Sequence, residues 1–288
     1  MSRSFDFSSA SIRQLAQSDV ARALSEDVGD GDLTSSLVGA DRRSIARVLA
    51  REAAVLCGSA WVEAAVLQLD PQATLTWHVQ DGQRCQANQV VLEIHGQARA
   101  LLTAERTALN FLQLLSGVAT KTARYVDAVK GTKAQIVDTR KTLPGLRLAQ
   151  KYAVRTGGGT NHRVGLFDAI LIKENHIAAA GGIPEVLARA AESASQADFV
   201  EIEVETLAQL TQALESGARM VLLDNMDIAT LRQAVAINAG RAILEISGGV
   251  TIDGLTELAQ TGVDRISIGT LTKDVQATDF SMRFEATS

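Results

Sequence analysis

FVEIEVETLAQLTQALESGARMVLLDNMDIATLRQAVAINAGRAILEISGGVTIDGLTELAQTGVDRISIG, residues 199–269, sets four short apolar runs a near-constant distance apart, with an amphipathic stretch between each pair. FVEIEV, MVLLD, AILEIS and RISIG are strand-like, and LAQLTQALESG, IATLRQAVAINAG and TIDGLTELAQTG carry helical patterning. This is the rhythm of consecutive βα units. A spacing of about twenty-two residues leaves room for one helix and two tight turns, which suits a barrel better than a loosely wound sheet. Reading backward adds AILIK at 169–173 and AQIVDT at 134–139, and a further helix in PEVLARAAESA. Six parallel strands are expected, with a doubly wound sheet as the alternative.

Residues 1 to about 100 follow a different pattern. A helical start leads into the turn-rich EDVGDGDLTSS, followed by alternating runs in SIARVLAREAAVL, ATLTWHVQDGQRC and QVVLEIHG. This is a separate α+β region. TAERTALNFLQLLSGVATKTARYVDAV, 103–129, reads as one or two long helices with Thr103 as the N-cap. The closing LTKDVQATDFSMRF is expected to pack back onto the first region. The domains expected are therefore 1–115 joined by a tail at 272–288, and a catalytic domain at 116–271.

Composition narrows the function classes. The chain has 288 residues, 46% hydrophobic but only 4% aromatic, and a formal net charge of −5. A core of Ala, Leu, Val and Ile suits helices over parallel strands. No segment interleaves basic and aromatic residues, so nucleic acid is not an expected partner. No run of eighteen apolar residues occurs and MSRSFDFSSASIRQ lacks a signal-peptide core, so a cytoplasmic enzyme is expected. Cys57 and Cys85 fit no metal or disulfide pattern and read as packing residues.

In a βα barrel the reacting groups come from the C-terminal ends of the strands. That rule selects Asp138, Thr139 and Arg140, then Lys173, Glu203, Asp224, Ser247 with Gly248 and Gly249, and Gly269. One charged strand end is ordinarily a solvated terminus; six in succession argue for a site. DTRKTLPGLRLAQKYAVRTGGGTNHR, 138–163, carries seven basic groups counting His162. Lys151 and Arg155 read as a solvated helix face. Arg140, Lys141, His162 and Arg163 lie in loops, where guanidinium forks can grip carboxylate or phosphate. Gly157–Gly159 lacks the Lys-Ser of a phosphate loop, whereas SGG at 247–249 and Gly269-Thr270 suit a phosphate cradle. Glu203 and Asp224 could hold Mg²⁺ on a polyphosphate, directly or through water. Lys173 leaves open a Schiff-base aldolase, and a non-catalytic dicarboxylate-binding regulator is a further alternative.

Taken together, EDVGDGDLTS, ERTALNFLQLLSGVAT, DTRKTLPGLR, KYAVRTGGGTNHR, DAILIKENHI, EIEVET, LLDNM, EISGGV and ISIGTLT resemble the quinolinate phosphoribosyltransferases, in order and over nearly the whole chain. The resemblance implies an N-terminal α/β sandwich, a C-terminal incomplete α/β barrel, and a homodimer or larger assembly whose sites borrow Arg106 from the partner. It implies a dicarboxylate pocket of Arg106, Arg140, Lys141, His162, Arg163 and Lys173. Phosphoribosyl pyrophosphate and Mg²⁺ would meet Glu203, Asp224, Ser247, Gly248, Gly249 and Gly269, with Thr139, Ile268 and Thr270 as backbone neighbours. Lys141, Glu203 and Asp224 are the residues expected to act on the reacting centre.

Overall fold

The computed structural model describes residues 5–285. They fall into two compact units, one containing 124–142 and 159–273, the other 6–123, 143–158 and 274–285. The second unit holds a four-stranded antiparallel sheet built from β1 (Arg43–Ala50), β3 (Thr74–Trp77), β5 (Val90–Gln97) and β12 (Phe280–Phe284), with a small ladder between β2 (Ala54–Val55) and β4 (Arg84–Cys85). β12 pairs with β1 in the register Val48 to Met282, so the closing segment completes this sheet. Cys57 and Cys85 are free and buried.

The helix Ser59–Leu69 has no counterpart in the sequence reading. SAWVEAAVLQL is apolar around most of its circumference, and Trp61, Val62, Ala64, Ala65 and Val66 are all buried, so the one-faced stripe that marks a surface helix is missing. Of the one or two helices expected the structure has one, Ala98–Ala128, which starts before Thr103, so Thr103 is not its N-cap. The Thr103 hydroxyl instead donates back to the Arg99 carbonyl and to Asp32 at 2.8 Å, from inside the helix. The division between units falls within this helix, after Ala123, and the helix Arg147–Thr156 belongs with the antiparallel sheet.

The other unit is a six-stranded, all-parallel sheet of β6 (Gln135–Val137), β7 (Ile170–Ile172), β8 (Val200–Val204), β9 (Met220–Asp224), β10 (Ile243–Ser247) and β11 (Arg265–Ser267). Its order is β6-β11-β10-β9-β8-β7, with β6 and β7 as edges, the incomplete α/β barrel. Ile202, Val204, Val221, Leu223, Leu244, Ile246 and Ile266 are buried between sheet and helices. Helices Leu207–Glu215 and Ile228–Asn238 begin at Thr206 and Asp227, whose side chains accept from backbone N–H groups three residues on. These caps end each preceding loop. Among the described residues, no helix is long and apolar enough to cross a membrane.

Candidate active site

All six strands of the parallel sheet run the same way, so their C-terminal ends meet on one side and line a cavity of about 470 Å³. Thr139, Arg140 and Lys141 come from the end of β6, Lys173 from β7, Glu203 from β8, Ser247, Gly248 and Gly249 from β10, and Ile268, Gly269 and Thr270 from β11. His162 and Arg163 enter from the segment between β6 and β7. Asp224, at the end of β9, does not line the cavity itself but accepts from the Ser247 hydroxyl at 2.7 Å and from Asn225 Nδ2 at 2.8 Å. Arg106 lies in the other unit, exposed on the helix Ala98–Ala128.

One side of the cavity is cationic. Arg163 is half-buried, its Nη1 donating to the Ala169 carbonyl at 3.3 Å, and its pKa is lowered first by burial and then by the charge of Arg140. Two neighbouring guanidiniums in partly buried surroundings repel each other, and an anion between them relieves that repulsion. The Lys173 ammonium binds Glu203 at 2.7 Å. Lys141 sits in a tight loop: its N–H donates to Thr139 Oγ1 at 3.0 Å and its carbonyl accepts from Thr272 Oγ1 at 2.8 Å.

The glycine side has little room for side chains. Gly248 has φ +103°, a conformation L-residues avoid, and a methyl group there would overlap the Asn225 side-chain oxygen. A methyl at Gly269 would stand 2.8 Å from Lys141 Cδ. Bare backbone at both positions leaves the cavity open to a ligand's phosphates.

Beneath this mouth lies a buried polar layer that the sequence reading passed over. Glu201, two residues before Glu203 on β8, and Glu245, two before Ser247 on β10, are fully buried. Burial raises Glu201 to about 7 against the opposing charge of Arg265. Burial, then the negative charge of Glu201, raises Glu245 to about 7 as well. His162 Nε2 meets Glu201 Oε2 at 2.7 Å and Glu245 Oε1 at 3.6 Å; Arg265 Nε lies 2.8 Å from Glu245 Oε2, and the Ser267 hydroxyl donates to Glu245. The signal for these residues is a charge inside an apolar strand run, at the interior-facing phase. Lys151 is also fully buried, contrary to its reading as a solvated cation, while Arg155 is exposed.

Residues 118–283 match the quinolinate phosphoribosyl transferase C-terminal domain, and residues 32–116 match the N-terminal domain of the same family. The chain belongs to the quinolinate phosphoribosyltransferase family. It is 43% identical over 277 residues, 93% of this chain and 96% of its relative, to the nicotinate-nucleotide pyrophosphorylase [carboxylating] of Mycobacterium leprae. It is 41% identical over 257 residues, 89% of each chain, to the probable enzyme of that name from Bacillus subtilis. The solved nicotinate-nucleotide pyrophosphorylase of Francisella tularensis superposes with a TM-score of 0.92 at 44% identity, covering 95% of this chain and 97% of that one.

Proposed function

We propose that this cavity catalyses the family's reaction: quinolinate and phosphoribosyl pyrophosphate give nicotinate mononucleotide, pyrophosphate and CO₂, a pentosyl transfer that serves NAD synthesis. The observation that carries the reading is that Arg140, Lys141, Arg163 and Lys173 line the same cavity as the bare glycine backbone of Gly248, Gly249 and Gly269. Quinolinate has two carboxylates, and a bidentate guanidinium for each is the economical way to hold them. The monocarboxylate nicotinate would leave part of that cationic set without an anion.

With the carboxylates gripped, the pyridine nitrogen faces C1 of the ribose, whose bond to pyrophosphate breaks as the C–N bond forms. Positive charge builds on C1 and the ring oxygen; the Glu203 carboxylate, which lines the cavity, stabilises it, and Asp224 adds its negative charge from behind Ser247. Lys141 balances charge on the departing pyrophosphate. The pyridine nitrogen is then quaternary. When the adjacent carboxylate leaves as CO₂, the electron pair of its C–C bond stays on the ring carbon beside that positive nitrogen, and a proton replaces the carboxylate. Position and charge carry the chemistry, with no side chain required as nucleophile.

Glu203 at the end of β8, and Asp224 with the Ser247 hydroxyl on it, offer oxygen donors of the kind that suits Mg²⁺ shared with a ligand's phosphates. Glu203 and Asp224 would hold that ion, directly or through water, and when bound it neutralises pyrophosphate charge. The Schiff-base reading is not favoured: Lys173 Nζ is engaged as an ammonium by Glu203, and a nucleophilic amine must first lose that proton. The proposal also includes a cytoplasmic homodimer in which exposed Arg106 of one subunit completes the partner's dicarboxylate pocket. An inactive Arg106→Ala chain mixed with an inactive Lys141→Ala chain would then recover activity, and no recovery would count against sharing. Parallel detection of pyrophosphate and CO₂ from quinolinate, with Mg²⁺ and with it chelated, tests the main reading. Absence of both products with Mg²⁺ present would refute it.

A further inference from the structure

The position of His162 is unlike that of the other basic groups at the cavity. Both ring nitrogens are already engaged within the protein. Nδ1 accepts the backbone N–H of Arg163 at 2.8 Å, and Nε2 lies 2.7 Å from Glu201 Oε2. Because Nδ1 receives a donor it carries no proton, so the proton sits on Nε2 and points at Glu201. A proton added to Nδ1 would face the Arg163 N–H head-on. These contacts fit the neutral Nε2–H tautomer, in which Nδ1 accepts and Nε2 donates. Phe199 packs edge-on against it at 5.2 Å between centroids, and the His162 backbone N–H donates to the buried Asp138 carboxylate at 2.8 Å.

The next residues are held as firmly. The N–H groups of Val164 and Gly165 both donate to Asp168, at 2.6 and 2.9 Å. Arg163 thus stands between an imidazole acceptor on one side and a carboxylate-clamped turn on the other, its backbone fixed at each end. Glu245 backs the arrangement from β10, 3.6 Å from His162 Nε2 and braced by Arg265 and Ser267.

We propose that His162 is a positioning residue and not a cation for the substrate, locked by Glu201 with Glu245 behind it so that Arg163 is aimed at the dicarboxylate. This deepens the functional reading above and rests on it for the identity of the ligand. It divides the basic cluster: Arg140, Lys141, Arg163 and Lys173 carry charge to the substrate, while His162 contributes none. Glu201 thereby acquires a role in quinolinate recognition from outside the cavity lining, with Glu245 supporting it from the lining itself.

The test combines a spectroscopic and a kinetic measurement on the full-length protein. Nitrogen-15 NMR of the His162 ring, in free enzyme and with quinolinate added, is expected to show one pyrrole-like Nε2 and one pyridine-like Nδ1 in both states. An imidazolium signature with quinolinate bound would overturn the proposal. Glu201→Gln keeps an acceptor oxygen for Nε2–H and Glu201→Leu removes it. The Leu variant is expected to raise KM for quinolinate about 10- to 100-fold, with KM for phosphoribosyl pyrophosphate within about threefold of wild type and the Gln variant restoring most of the loss. Equal damage from Gln and Leu, or a quinolinate KM unmoved by Leu, would overturn it. If the Leu chain fails to fold, the ring measurement on the wild type still decides. Wild-type enzyme that forms no pyrophosphate or CO₂ strikes the functional reading alone, since the tautomer of the free enzyme is read without substrate.

Discussion

Glu203 and Glu201 lie two residues apart on the same strand and point to the same side, yet they meet different conditions. Glu203 reaches the cavity mouth and pairs with Lys173; Glu201 is completely buried, and its carboxyl is pushed up to about 7. The same step separates Ser247 from Glu245 on β10, and Gly269 from Ser267 at the end of β11. Depth along the strand, more than residue type, therefore decides what each group does. At the mouth, Arg140 and Arg163 lie near enough to repel each other, beside the Lys173–Glu203 pair. One layer down, the Glu245 carboxyl is answered from within by Arg265, and the His162 ring lies within hydrogen-bond distance of Glu201. A ligand site needs the first condition, and the second keeps it rigid.

The largest effect separating the two layers is expected at the mouth. Arg140→Ala removes one arm of the guanidinium pair, and a fall of about 100- to 1,000-fold in kcat/KM for quinolinate is expected, by analogy with the loss of one preorganised donor to a developing charge. Thermal unfolding should be little changed, because relieving repulsion with Arg163 offsets lost packing. Near-wild-type kinetics would remove Arg140 from the pocket. Next comes the glycine side: Gly248→Ala forces an L-residue into φ +103° against Asn225, a strain of about 1–3 kcal/mol. It should raise KM for phosphoribosyl pyrophosphate about tenfold while leaving the affinity for quinolinate alone, measured by calorimetry, unchanged. Weakened quinolinate binding instead would mean that the two subsites are not separated as drawn.

The buried layer should reveal itself through pH. Glu245 faces Glu201, His162, Arg265 and Ser267, and burial with the neighbouring Glu201 charge raises it from 4.5 to about 7. Its native pKa lies above the unfolded value, so between those two pH values the folded chain binds more protons than the unfolded one. The stability this group contributes is complete below about 4.5 and is lost as the pH rises through about 7. Glu245→Gln, always neutral, should match wild type at acid pH and melt about 2–4 °C higher than wild type at pH 8, for a difference on the order of 1 kcal/mol. Parallel melting curves for the two proteins across the whole range would refute a raised Glu245.

The strand ends were legible because apolar runs are punctuated by Asp, Lys, Ser and Gly, and six such punctuations in a βα rhythm define a face. The depth of each charge was not. In the strand carrying Glu201, Glu203 and Glu205, period two puts all three on one face and the strand-end rule selects Glu203 for the mouth, where it lies; that Glu201 is sealed below it depends on packing with neighbouring strands. Glu245 opposes Arg265, and Ser247 opposes Asp224, only through pairings that one segment does not encode. Helical charge suffered the same ambiguity: Lys151 and Arg155 sit four residues apart in RLAQKYAVRT, yet the first is fully buried and the second exposed.

That last pair offers the smallest expected effect and the sharpest control on the comparison. If the basic cluster of residues 138–163 acted by bulk positive charge, removing any cation from it would weaken quinolinate and phosphoribosyl pyrophosphate alike, with an effect that faded at high salt. If instead the mouth residues act by geometry, Arg155 matters only locally, through its guanidinium lying 5.0 Å above the Phe7 ring. Such an exposed contact is worth about 0.5–1 kcal/mol. Arg155→Ala should then lower the melting temperature slightly and leave both KM values within about twofold of wild type at low and high salt. A salt-dependent rise in both KM values would show the field of the whole cluster at work, and the division between mouth and surround would have to be redrawn to include this helix.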